Sequence, residues 1–209
     1  FIRVINNNAE LYLLEKVVKK GFLIADVKLY FDKDGNIKNN YEISGFVKDT
    51  KIKILKNYRL NKLNLNFSYK KNVLDFKNIS VSLNNLNFVS KNLNFKNIKD
   101  EFIIKGEIGN KSIVLDNKNI ELFIKPHFPD LDIDKIIFSS KNKFSFKVNK
   151  KFQFNDLDLK SEIEINEFLL LNDFQLKKIF PKIKKNIKFS NNKLKINLEK
   201  KILMVNGMG

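Results

Sequence analysis

The chain of 209 residues contains no cysteine, no tryptophan, one histidine, two arginines, three prolines and seven glycines. Each scarcity closes off a class of chemistry. Without cysteine there is no disulfide framework, no thiolate nucleophile and no cysteine-ligated metal. The lone histidine, His127, stands between Pro126 and Pro129. It reads as a turn residue, and with no second histidine there is no His pair for a catalytic metal. Long apolar runs are also missing. Stretches such as Phe168 to Leu171 stop at four residues, far short of the roughly 18 that a spanning helix needs. The opening FIRVINNN has no apolar centre of signal-peptide length. The start at Phe1 and the stop just after a strand pattern lead us to expect a segment of a larger protein, with any anchor or export signal elsewhere.

Charge of one sign is in excess, at a net +17. Such a balance invites a nucleic-acid reading, since cations on phosphates drive that binding. Only Arg3 and Arg59 supply guanidinium groups, the ones suited to bidentate phosphate and base contacts. The lysines are scattered through turns and polar strand faces, and Asn, Ile and Phe are enriched beside them, as A/T-biased codon usage would produce. No nucleic-acid partner is expected. The densest basic stretch, KKIFPKIKKNIK from Lys177 to Lys188, reads as a solvated edge segment or a surface leaning on anionic headgroups.

What the chain does have is alternation. From Leu60 to Gly109, Leu63, Leu65, Phe67 and Tyr69, then Ile79, Val81 and Leu83, then Leu86 and Phe88, then Phe102, Ile104 and Ile108 recur at every second position. Side chains on a strand point alternately to opposite faces, so each run predicts a strand that is apolar on one side. Between them stand Asn64, Asn66, Ser68, Ser80, Ser82, Asn84 and Asn87. The pattern continues through Ser112 to Leu115 and Ile120 to Ile124, and resumes after the proline break with Ile133, Ile136 and Phe138, then Phe144, Phe146 and Val148. It runs on through Leu157, Leu159, Ile163 and Ile165, with Ser161 on the same face, to Leu194, Ile196, Leu198 and Ile202 to Val205.

Two helices are expected. Leu11, Leu14 and Val18 have helical spacing, with Asn8 as cap, Lys19 and Lys20 in the last turn and Gly21 beyond, which predicts a helix over about 9–20. Asn172 to Phe180, stopped by Pro181, is a candidate short one. Asp32-Lys-Asp-Gly-Asn36 predicts a hairpin turn, with Gly35 taking the positive φ. Its spacing fails as a calcium loop. Roughly fourteen strands with short connections make the chain mainly β. We expect one segment over 1–209, a long curved antiparallel meander from about residue 22 to 206 forming an open apolar groove.

No nucleophile elbow, phosphate loop or tuned carboxylate pair occurs, and Glu162 and Glu164 lie on the polar face of one strand. The reading is non-enzymatic, with no catalytic residues, metal or cofactor. An uncovered apolar face suits hydrocarbon, whose burial is worth about 0.8 kcal/mol per methylene and has no direction. Fourteen strands about 4.8 Å apart would extend roughly 65 Å, longer than one lipid. The groove-lining residues predicted are Leu63, Leu65, Phe67, Ile79, Val81, Leu83, Phe102, Ile104, Phe144, Phe146, Leu157, Leu159, Ile163 and Ile165.

The stretches LYFDKDGNIKNNYEISGFVKD, NVLDFKNISVSLNNLNF, FIIKGEIGNK and KNIKFSNNKLKINLEKKILMVNGMG resemble bacterial AsmA-like proteins of the YhdP type, with TamB more distant. The likeness covers the chain from about Leu29 onward. It rests on strand spacing, Asp-Gly hairpins and glycine-bearing strand ends. It implies a Gram-negative, periplasm-spanning β-groove protein anchored in the inner membrane through regions outside this segment. Such a protein would move phospholipid toward the outer membrane, with envelope proteins as possible partners. The alternatives are a structural or adhesive β-sandwich with a dry core, or a scaffold offering edge strands to outer-membrane proteins.

Overall fold

The computed structural model describes residues 18–38, 40–55, 58–98, 101–149, 153–171 and 186–208. The strands are β1 (Val18–Lys28), β2 (Glu42–Leu55), β3 (Tyr58–Lys70), β4 (Val73–Leu83), β5 (Leu86–Ile98), β6 (Glu101–Leu115), β7 (Ile133–Asn149), β8 (Phe154–Leu171), β9 (Asn186–Glu199) and β10 (Ile202–Met208). Among the described residues one helix, α1 (Asn117–Phe123), lies between β6 and β7. The protein is mainly β. Among the described residues ten antiparallel strands form one open sheet in chain order, β1 to β10. Contacts divide the chain into two compact units, one of Phe1–Gly106 with Val148–Gln153, the other of Glu107–Lys147 with Phe154–Gly209.

Among the described residues there are ten strands where roughly fourteen were expected over the whole chain, and several of the polar interruptions are bulges within strands. Between β2 and β3 the register slips between Val47 and Thr50 and again between Thr50 and Ile52. It slips between β3 and β4 from Asn61 to Asn64 and from Asn64 to Asn66. At these points Asp49, Lys62 and Asn78 take φ of 51°, 51° and 54°. A left-handed residue that leaves one strand a position longer than its partner is a bulge, and it bends and twists the strand. Asn and Asp tolerate that conformation better than other side-chain-bearing residues, so the asparagine-rich composition serves the backbone. Asn64 ties the site together. Its Oδ1 accepts from the Asp49 N–H at 3.0 Å, and its Nδ2 donates to the Lys62 carbonyl at 2.9 Å and to Ser80 Oγ at 3.3 Å.

Three hairpins close on two-residue turns with positive φ at both positions, Lys71-Asn72 (49°, 62°), Asn84-Asn85 (48°, 71°) and Lys200-Lys201 (48°, 67°). This is the turn whose twist matches that of the flanking strands. The expected turn at Asp32 to Asn36 is present. Gly35 has φ 82°, and Asp32 Oδ1 accepts from the N–H groups of Asp34 at 2.9 Å and Asn36 at 2.8 Å. These bonds, led by the one from the Asn36 backbone, hold the Asp32 carboxyl below its ordinary value.

Two expectations are corrected. Val18, Lys19 and Lys20, predicted to end a helix, open β1 instead; the rest of that stretch lies outside the described residues. Gly21 is not a helix cap. It has φ 144° and lies so close to Thr50 of β2 that an added Cβ would collide with the threonine side chain. Ile120 to Ile124, predicted as strand, falls on α1 and its cap because Asp116 caps the helix, its carboxylate accepting from the Asn119 N–H at 2.8 Å. The candidate helix at Asn172 to Phe180 lies outside the described residues.

Candidate functional site

In the first unit the registers settle which side chains share a face, because directly opposed residues on neighbouring strands point the same way. Val27, Ile43, Tyr69, Leu74 and Phe95 oppose one another in turn from β1 to β5. Phe67, Phe76 and Leu93 form a second row across β3 to β5. A third runs Ile52, Leu60, Leu83, Leu86 from β2 to β5. Between them Leu63 lies opposite Thr50, Leu65 opposite Val47 and Val81 opposite Phe88. The predicted residues Leu63, Leu65, Phe67, Ile79, Val81 and Leu83 therefore share one apolar face. Ile79 is buried and the other five are half-buried. Phe102 and Ile104, in the β6 segment of this unit, are also half-buried.

In the second unit Phe144 and Phe146 stack at 5.8 Å between ring centroids, and Phe146 meets Phe154 at 5.5 Å. Leu159 and Ile163 oppose Leu198 and Leu194, while Ile165 opposes Asn192. Leu157, near the start of β8, is exposed. The predicted lining is thus divided between the two units.

Sequence reasoning missed two things. One is the aromatic column of Phe76 and Phe95, which meet edge to face at 5.3 Å. Its signal was the alternation in Val73-Leu-Asp-Phe76 and Leu93-Asn-Phe95. The other is a polar row lying among the apolar residues. Thr50 and Ser90, opposite Leu63 and Ile79, are buried.

In the second unit Ser161 Oγ donates to Asn142 Oδ1 at 2.5 Å, and Asn142 Nδ2 donates to Ser140 Oγ at 3.1 Å and to the Ile108 carbonyl at 3.0 Å. Ser140 Oγ donates to Asn110 Oδ1 at 2.5 Å, and Asn110 Nδ2 donates to the Phe138 carbonyl at 2.8 Å. The row links β6, β7 and β8, and each of its hydroxyl protons is already committed to a neighbour. It holds the strands together and has little left with which to grip a polar headgroup.

Charged chemistry is sparse and peripheral. Glu167 bridges Lys188 at 3.0 Å and Lys135 at 3.3 Å, and hydrogen bonds from these two lysines hold its carboxyl below its usual value. Glu42 is likewise held down by Lys70 at 2.7 Å. His127 is exposed in the turn after α1. Among the described residues no group of three or more His, Asp or Glu is placed to hold a metal ion. No described helix is long and apolar enough to cross a membrane. A depression of about 210 Å³ between Phe46, Lys48, Asn64 and Asn78 follows the bulges and is smaller than most small-molecule sites. Comparison with family models, curated proteins and solved structures found no match for this chain.

Proposed function

We propose that the apolar face is a hydrophobic groove that holds phospholipid acyl chains, and that the protein is a non-enzymatic lipid-binding segment. One observation carries this reading. The apolar rows crossing β1 to β5 stay largely half-buried, and the described residues contain one sheet, with no second sheet to stack on them. A half-buried Leu or Phe row leaves apolar area that a hydrocarbon chain can still remove from water. Six methylenes laid along it would gain about 5 kcal/mol. The contact is non-directional, so a chain can slide without breaking specific bonds. In an AsmA-like setting the segment stands in the periplasm, tethered to the inner membrane through other sequence, and passes phospholipid toward the outer membrane.

Native mass spectrometry of the gently purified chain tests this. The parent is expected to carry phospholipid, while Leu65→Asp and Val81→Asp lose it and keep the parent's far-ultraviolet circular dichroism. Undiminished lipid on both variants sinks the groove assignment. Unfolding of both shows instead that the face is a dry core.

A further inference from the structure

We propose that a depression on the polar face of the first unit is an anion site that takes a phosphate group, framed by Lys48 and Lys77. The site lies on the side of the sheet away from the apolar rows, so it stands independently of the acyl-chain reading. Val47 and Leu65 oppose each other on the apolar face. Successive residues on a strand point opposite ways, which turns Phe46, Lys48, Asn64 and Asn66 to the other side. These four line the depression together with Asn78. Lys77 lies directly opposite Asn66 and so faces the same side.

Cations gather around this depression without partners. Lys48, Lys51, Lys62 and Lys77, on three consecutive strands, are all exposed. None of them has a salt bridge among the described residues. Lys20 of β1 lies directly opposite Lys51, a like-charge pairing that costs stability where nothing neutralises it. The carboxylates of the same face stand further along the strands. Glu42 bridges Lys70 at 2.7 Å, Asp75 accepts from Asn94 at 2.7 Å, and Asp26 lies opposite Ser44. Asp49, next to Lys48, is not among the lining residues. In the second unit, by contrast, Lys193 and Lys195 are set opposite Glu164 and Glu162.

The lining chemistry selects the anion. Asn64 is spent on the bulges through its bonds to Asp49, Lys62 and Ser80. Asn66 and Asn78 are exposed, and their side chains make no hydrogen bond among the described residues, so both amides remain to donate. Two ammonium groups and two amides suit an oxyanion with several acceptor oxygens and more than one negative charge, and lysine binds phosphate as a point charge. A carboxylate offers one charge and two oxygens. The volume is about 210 Å³, below the roughly 300 Å³ at which drug-sized pockets begin. It admits a phosphate and the start of its ester substituent, for which Phe46, 39% exposed, supplies an apolar wall. The ligand class is a phosphate ester, either a free compound or a phospholipid headgroup.

Amide chemical shifts of the isotope-labelled 209-residue chain, followed during titration with sodium phosphate and with glycerol phosphate at low salt, read this directly. The expected result is a saturable shift confined to Phe46 to Asp49, Asn64 to Asn66 and the side-chain amides of Asn66 and Asn78, weakening as salt screens it. Lys48→Gln and Lys77→Gln, both at exposed positions, each weaken binding about tenfold and keep the parent's circular dichroism, while Lys48→Arg restores most of it. Lys33→Gln removes the same charge from the distant Asp32 turn and leaves binding unchanged. Flotation with phosphatidylglycerol vesicles names the source. Capture that Lys48→Gln abolishes marks a lipid headgroup, and binding of glycerol phosphate without capture marks a free phosphate compound. No saturable shift up to about 10 mM of either phosphate, shifts spread over all the lysines, or an equal loss in Lys33→Gln overturns the proposal.

Discussion

Two stretches written in the same alternating code end in different environments. From the end of β6 through α1 into β7, Ile113, Leu115, Ile120, Ile133 and Ile136 are all buried, Ile120 to 2% exposure. On β3 and β4 an equally regular series is half-buried, with Ile79 alone reaching the buried class. The first stretch contains the one described helix, and the second has strands only. Alternation decides which side chains share a face. What meets that face depends on elements elsewhere in the chain or on a guest.

The contrast should appear in stability. Ile120→Ala, in the buried stretch, is expected to cost about 3 kcal/mol in urea denaturation, since the cavity adds to the lost transfer energy. An effect as small as that of the open face would erase the distinction. Asn142→Ala strips partners from Ser161, Ser140 and the Ile108 carbonyl together, and about 2 kcal/mol is expected for buried polar groups left unpaired. Leu65→Ala on the half-buried face should cost only about 1 kcal/mol in the bare protein. Added phospholipid should stabilise the parent more than this variant, so the cost of the substitution measured by thermal unfolding should grow. A gap that lipid leaves unchanged would mean that the face takes no guest.

The smallest effect is electrostatic. The carboxyls of Glu167 and Glu42 are lowered by their lysine partners, so their contribution is present above the ordinary carboxylate pKa. It is lost as the pH falls through the lowered folded values. Glu167→Gln should flatten that part of an acid titration of stability and leave neutral pH nearly unchanged, as expected for partly exposed pairs.

Much of the fold was legible. Leu63, Leu65 and Phe67, and Ile79, Val81 and Leu83, were assigned to common faces by period alone, and Asp32 to Asn36 declared its turn through Gly35. The misplaced strand breaks share a cause. Polar stretches such as Lys48-Asp-Thr50 and Asn61-Lys62 look like connections in one dimension, yet a single left-handed residue lets a strand pass through them without ending. Of the helix expected over about 9–20, the described end, Val18 to Lys20, is strand, and Gly21, a stop signal in sequence, sits where β1 crowds Thr50. Strand Ile120 to Ile124 failed because one cap, Asp116, outweighed a short run of alternation. Ser140, Asn142 and Ser161 were legible as polar residues, but their joining into one row depends on strands distant in sequence.

By itself the sequence determined the β class, the antiparallel meander and the membership of each strand's apolar face, because period and turn chemistry act over a few residues. Tertiary structure alone decided where strands run on through polar stretches, the alignment of the bulges and the polar row. Those features depend on which residues of separate strands lie opposite one another, and register is a property of pairs of strands.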